Sequence, residues 1–108
     1  MAVRHQSTRL AVHHHTQKEK AQELIAAQDG VSNCVADSAT YSVGIVTFEL
    51  VSDDGQSYPH TMRICSAFNG RCTGYLQSDL DVPKEAHQKA AKLMTEIFMT
   101  KREMLTRP

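Results

Sequence analysis

The stretch that decides the fold is Thr40–Leu76, which reads TYSVGIVTFELVSDDGQSYPHTMRICSAFNGRCTGYL. Runs rich in β-branched and aromatic residues alternate there with two tight-turn signals, Asp54-Gly55 and Asn69-Gly70. Such dipeptides between apolar runs are strong indicators of β-hairpins. The stretch therefore predicts three consecutive antiparallel strands.

Amphipathic helices are predicted on both sides of these strands. Thr16 and Glu19 have the spacing of a capping box, which opens a helix that ends near Gln28. Pro83 suits the first position of a second helix, whose apolar stripe continues to about Met104. The order predicts an α+β fold (α-β-β-β-α) in which a three-stranded antiparallel sheet has two helices packed on one face.

The chain length of 108 residues suits one domain. We assign residues 1–15 to a flexible basic N-terminal tail, with a short edge strand as the alternative, and residues 16–108 to a single α+β domain. No apolar run approaches the roughly 20 residues that span a bilayer, so we expect no membrane association. The chain has three cysteines, Cys34, Cys65 and Cys72. This odd number does not suggest a framework of disulfide bonds. These features predict a cytoplasmic protein.

The turn signals also predict which side chains share a face of the sheet. If Asp54-Gly55 forms a two-residue turn, Asp53 faces Gln56 and Glu49 faces His60 as a charge pair. The second turn extends this register to the third strand. The predicted core face then collects Tyr41, Val43, Ile45, Val51, Tyr58, Met62, Ile64, Phe68 and Tyr75.

The opposite face of the predicted sheet carries an apolar patch, formed by Val46, Phe48 and Leu50. A contiguous apolar surface of this kind often marks an interface with another protein. Gly44 offers an alternative, because a β-bulge there would shift the phase of the strand and turn the patch inward. From the residues alone both orientations remain open.

Charge is segregated along a chain whose net charge is zero. No lysine or arginine occurs between Ala21 and Met62, whereas six acidic residues do. Separated charges favour docking by local complementarity. We predict a non-enzymatic small regulatory protein that binds another protein through the apolar patch, with Asp53 and Asp54 steering a basic partner. A second copy of the chain (a homodimer) is the nearest variant, and an inhibitor of phage or mobile-element type would suit such a chain.

Two segments near the C-terminal end resemble the double-stranded-RNA-binding domain: Asn69–Gly74, NGRCTG, and Pro83–Ala91, PKEAHQKAA. That family has the order helix, three antiparallel strands, helix, and lysines at the start of its second helix contact phosphates. The resemblance covers about a quarter of the chain. It implies an alternative function as a nucleic-acid-binding module. The candidate contacts would be Lys84, His87, Lys89 and Lys92.

No pattern in the sequence predicts catalysis or ligand chemistry. His13-His14-His15 can bind transition metals nonspecifically, but nothing nearby supplies the convergent ligands of a true site. A glycine-rich phosphate loop is also absent from the sequence. We therefore expect no catalytic residue, metal, cofactor or small-molecule substrate. An enzyme would need a pocket that joins His60 with Cys65.

Overall fold

The computed structural model describes residues 5–12, 17–40, 42–66 and 72–98. These residues form one sheet in the order β1-β5-β4-β3-β2, in which all neighbours are antiparallel, and two helices. The elements are β1 (His5–Val12), α1 (Lys18–Ala26), β2 (Val31–Thr40), β3 (Val43–Val51), β4 (Ser57–Ser66), β5 (Cys72–Asp79) and α2 (Lys84–Phe98). The α+β class and the antiparallel sheet are confirmed. The prediction of three strands was wrong, because the sheet has five.

The two additional strands are the edges of the sheet. Residues His5–Val12 pair with β5 along their whole length, so their assignment to a flexible tail was wrong and the edge-strand alternative was right. The other edge is β2 (Val31–Thr40), in a segment for which the sequence predicts no strand. It is mostly exposed and polar, and its pairing with β3 is interrupted at two places. An edge strand of this kind lacks the apolar alternation by which strands are recognised in a sequence.

The turn between β3 and β4 has three residues between its paired ends, one more than predicted. Gly55 N–H donates to Ser52 O at 2.9 Å, and Ser52 N–H donates to Gln56 O at 2.8 Å. Gly55 has a φ of 84°, which is the left-handed conformation that closes a type I turn with a G1 bulge. Ser52 therefore lies opposite Gln56, where a two-residue turn would have placed Asp53.

This difference of one residue inverts the predicted faces of β3, because successive side chains of a strand point to opposite sides. The hairpin of β4 and β5 is displaced in the same way, so that Tyr75 lies opposite Arg63 and not opposite Ile64. The predicted core residues Val43, Ile45, Val51 and Tyr75 thus occupy the face away from the helices. Met62 and Ile64 are buried as predicted, whereas Tyr41 and Phe68 lie outside the described residues.

Both helices cover the same face of the sheet, here called the helix-covered face. Ala21 and Ile25 of α1 are completely buried there, as are Ala90 and Met94 of α2. The buried side chains of the five strands that complete this core are Leu10, Val12, Val46, Phe48, Leu50, Met62, Ile64 and Leu76. The opposite side of the sheet is called the open face below. Neither helix in the described part of the chain is long and apolar enough to cross a membrane.

Gly44 and Gly74 allow close packing on the helix-covered face. The ladder between β3 and β4 runs from Val43 to Val51 without irregularity, so the bulge predicted as an alternative at Gly44 is not formed. A Cβ at Gly44 would lie 2.8 Å from Lys18 Cβ, which shows how closely α1 approaches the sheet there. Gly44 therefore serves close packing of a helix.

Candidate functional site

The apolar patch predicted as an interface is part of the core. Val46, Phe48 and Leu50 are 0%, 2% and 4% exposed, and they lie beneath the helices. Of the two orientations that the sequence left open, the outward one is wrong and the inward one is observed; its cause is the three-residue turn, which shifts the register of β3 by one position, and not a bulge at Gly44. These three side chains are therefore not accessible to a partner in this fold.

The acidic residues of the first hairpin are engaged within the turn. Asp54 accepts hydrogen bonds from the hydroxyl group of Tyr58 and, at 2.9 Å, from the main-chain N–H of Gln56. The Tyr58 bond comes first among the causes that hold the pKa of Asp54 below its usual value. Asp53 pairs with Lys89 Nζ of α2 at 3.2 Å. Both carboxylates thus help to organise the hairpin, but they remain exposed, and Asp54 has no cation beside it among the described residues, so their steering of a basic partner stays a prediction.

The four candidate nucleic-acid contacts lie on α2 but do not form one surface. His87 is 4% exposed and points into the core, so it cannot contact a phosphate in this fold. Lys89 donates to Val51 O at 3.0 Å and pairs with Asp53. Lys84 and Lys92 are exposed and have no ion pair among the described residues. Two of the four candidates thus remain available to an anion.

A chain of polar side chains, buried except for half-buried Thr8, runs beneath α2. His60 Nδ1 lies 2.6 Å from Ser78 Oγ, which lies 2.8 Å from His87 Nδ1, and His87 Nε2 lies 2.8 Å from Thr8 Oγ1. The chain joins α2 to strands β1, β4 and β5. It stabilises the helix against the sheet through groups that would cost free energy if left without partners.

Burial lowers the pKa of both histidines in this chain. For His60 the pKa falls to about 4, first because burial disfavours the charged ring and second because His87 is nearby. Burial also lowers the pKa of His87. The predicted ion pair of His60 with Glu49 was wrong, since His60 lies opposite Phe48, and its pKa is lowered and not raised.

The arrangement does not assemble the catalytic groups considered from the sequence. His60 points to the helix-covered face, whereas Cys65 lies opposite Val43 and Thr73 on the open face. Ser78 is hydrogen-bonded to two histidines but is only 4% exposed, which leaves a substrate no approach in this fold. The described residues contain no cluster of three or more potential metal ligands, and His13-His14-His15 lies outside them.

The open face is covered by neither helix and carries a row of charged and aromatic side chains. Along one line across the strands, Arg9 lies opposite Tyr75, Tyr75 opposite Arg63, and Arg63 opposite Ile45. Directly opposite residues on neighbouring strands project from the same face with Cβ atoms about 5 Å apart. We call Arg9, Tyr75 and Arg63 the arginine–tyrosine row.

The guanidinium groups of Arg9 and Arg63 have no counter-ion among the described residues. Neither Arg9 nor Arg63 has an ion pair or a side-chain hydrogen bond within the described segments of the chain. Arg9 is exposed, and Arg63 and Tyr75 are half-buried. Half-buried Ile45 and Val43 lie beside the row on β3. The row thus combines two available cations with an aromatic ring and an apolar border.

No family model, curated protein or solved structure matches this chain. The predicted resemblance to the double-stranded-RNA-binding domain is not tested by these comparisons and stays a prediction. The element order observed here differs from the one it implies by the two edge strands β1 and β2.

Sequence reasoning missed the arginine–tyrosine row for two reasons. Arg9 was placed in a tail, and Tyr75 was placed in the core. A signal was nevertheless present in Asp53-Asp54-Gly55, because a type I turn followed by glycine in the left-handed conformation is the common three-residue hairpin. Applying that turn would have put Ile45 opposite Arg63 on the open face, whereas the position of Tyr75 depends on the separate register of β4 and β5.

Proposed function

We propose that this chain is a non-enzymatic regulatory protein that binds another protein through the open face of its sheet. The arginine–tyrosine row is the observation that supports the proposal. Arginine and tyrosine are enriched among the residues that contribute most to protein–protein binding. Two guanidinium groups that have no ion pair with any described residue, beside half-buried apolar side chains, have the composition of such an interface.

The size of the open face also suits a protein partner. The five strands have eight to ten residues each. At about 4.8 Å between strands and about 3.3 Å per residue, they span roughly 630–790 Å². A stable interface buries about 800 Å² on each side, so this face supplies most of the area needed. Binding to this face would cover a surface of the partner and so block its other interactions. An inhibitor of phage or mobile-element type would act in this way. A cytoplasmic location remains part of the proposal and rests on the odd number of cysteines in the sequence.

The charges of the open face favour a protein over a nucleic acid. Besides Arg9 and Arg63, the face carries Asp37 on β2, Glu49 on β3 and Asp79 on β5. A nucleic acid gains most of its affinity from cations that neutralise successive phosphates. Three carboxylates around two arginines would oppose an extended polyanion, whereas a protein surface of mixed charge can match them.

Site-specific photo-crosslinking tests the proposed face. Benzoylphenylalanine is placed at position 75 on the open face or, as the matched control, at exposed position 92 on α2. The full chain is then irradiated in lysate of its source cells, with and without nuclease treatment. We expect a discrete protein adduct from position 75. An excess of unmodified chain should reduce the yield of this adduct, because it competes for the partner. An excess of the Tyr75→Ala, Arg63→Ala variant should not reduce it.

Three results would contradict the proposal: adducts only from position 92, adducts that disappear with nuclease, or no discrete adduct from position 75. An adduct at twice the mass of the chain would show that the partner is a second copy of the chain and not a different protein. Sedimentation at increasing concentration of the purified chain then measures that homodimer directly.

A further inference from the structure

Within the described part of the chain, the arginine–tyrosine row has no counter-charge, although carboxylates are present on the same face. Glu49 accepts a hydrogen bond from Asn33 Nδ2 at 2.7 Å, and Asp37 accepts one from the main-chain N–H of Ser38 at 2.8 Å. Asp37 belongs to the same cross-strand line as Arg63 but is separated from it by Ile45. The fold thus keeps its own acids away from both guanidinium groups.

We propose that the arginine–tyrosine row binds an acidic segment of the partner protein, an inference that rests on the proposed function of the open face. A guanidinium group presents a planar fork of donors that matches a carboxylate with two parallel hydrogen bonds. The Tyr75 ring between the two arginines offers an apolar surface and a hydroxyl group. The complementary segment carries two carboxylates and an intervening side chain that packs on this ring.

The register sets the spacing of the carboxylates in that segment. Arg9 and Arg63 lie on strands β1 and β4, which are separated by β5, so their main chains are about 9–10 Å apart. A segment that crosses the strands would therefore place its carboxylates about this far apart. Asp79 and Glu49 lie toward one end of the open face, and Asp37 lies at its β2 edge. Because these carboxylates would repel an acidic segment that extended beyond the row, the segment is limited to the length of the row.

A single-stranded nucleic acid could supply anions to the same arginines, but the face suits it less well. Such strands are held by several aromatic side chains on which successive bases stack. Tyr75 is the one aromatic side chain on the described part of the open face. A phosphate backbone that continued beyond the row would also meet the three carboxylates.

Selection from a displayed library of random 12-residue peptides tests the inference with the full chain as bait. We expect peptides enriched in Asp and Glu, with synthetic copies that bind at least tenfold more weakly to the Arg9→Glu, Arg63→Glu variant. The control Lys84→Glu, Lys92→Glu makes the same change in net charge on α2 and should leave the affinity unchanged. The milder Arg9→Gln, Arg63→Gln variant repeats the test, and circular dichroism establishes that every variant is folded.

The outcomes separate this inference from the proposed function. One outcome is the selection of peptides that carry no excess of Asp and Glu and bind more weakly to a Tyr75→Ala variant. This result would overturn the inference of an acidic segment and leave the open face as a docking surface. Peptides that lose binding only with the α2 control would overturn both, as would the recovery of no peptide. Titration with (dT)20 completes the test: tighter binding than the peptides, lost in Arg9→Glu, Arg63→Glu, would assign the row to nucleic acid.

Discussion

His60 and His87 share one hydroxyl group, since Ser78 Oγ lies 2.6 Å from Nδ1 of the first and 2.8 Å from Nδ1 of the second. A hydroxyl group has one proton, so it donates to one ring and accepts from the other. If Ser78 donates to His87, then His60 Nδ1–H donates to Ser78 and His87 Nε2–H donates to Thr8. His60 Nε2 is then an unprotonated acceptor, which is the one buried side-chain nitrogen or oxygen without a partner in the described chain.

Acid should destabilise this protein through that pair of rings. A histidine whose pKa is lowered on folding is neutral in the native state, whereas the unfolded chain takes up its proton near pH 6.5. The contribution of His60 is therefore complete above pH 6.5 and decreases as the pH falls toward about 4. The loss amounts to about 3 kcal/mol for His60, and His87 adds to it in the same direction. Urea unfolding at pH 7.5, 5.5 and 4.5 measures it.

The variant His60→Leu isolates this effect from other acid-sensitive groups. Asp54 also has a lowered pKa and loses its bond to Tyr58 in acid, but the variant keeps that bond. In His60→Leu, Ser78 still has His87 as a partner, so we expect a shallower decrease in stability between pH 6.5 and 4. His5→Gln, which changes an exposed histidine, is the control. Equal pH dependence in wild type and His60→Leu would contradict the assignment.

Phe48 should contribute to stability and not directly to binding. It is 2% exposed and has the largest side chain among the fully buried residues. The variant Phe48→Ala should lower the free energy of unfolding by about 3–5 kcal/mol, because it removes apolar contacts and leaves a cavity. Val35→Ala, at a side chain that is 57% exposed, should change it by less than about 0.5 kcal/mol. Similar unfolding midpoints for the two variants would place Phe48 outside the core.

Gly74 should not tolerate even a methyl group. Gly74 is in β5, which lies between β1 and β4 in the sheet. A Cβ at this position would be 2.6 Å from Met62 Cε and closer still to Val12 Cγ2. Met62 can move its flexible end, but the short branched side chain of Val12 cannot. We expect Gly74→Ala to cost about 1–3 kcal/mol of unfolding free energy. The double variant Gly74→Ala, Val12→Ala should recover part of this loss relative to Val12→Ala alone. Thermal unfolding of the wild type and the three variants measures this, and no recovery in the double variant would contradict the proposed clash.

Gly55 should be important for its backbone conformation alone. Its φ is 84° and no atom lies within 4 Å of a Cβ built on it. Gly55→Ala should therefore destabilise the hairpin by about 1 kcal/mol, whereas Gly55→Asn should cost less, because asparagine adopts the left-handed conformation more readily. Equal unfolding free energies for both variants would argue against the left-handed turn. Amide exchange of Ser52 reports on the same turn.

The sequence by itself determined the local elements of the central fold. Alternating apolar residues and the two glycine turns located β3, β4 and β5, and Pro83 with the apolar stripe after it located α2. These signals depend on interactions between residues close in the chain, namely turn conformation and side-chain periodicity. The α+β class and the antiparallel order follow from them.

Only the tertiary structure decided which face of the sheet is buried and what lies on the other. A strand reverses its faces with a shift of one residue. The three-residue turn sets the register of β3 against β4 locally, but only the packing of α1 and α2 on Val46, Phe48 and Leu50 shows which face is buried. The edge strands β1 and β2 are strands because distant segments supply their hydrogen-bond partners. The same long-range pairing brings Arg9 beside Tyr75 and Thr8 beside His87. Contacts between residues so far apart in the chain leave no local pattern in a single sequence.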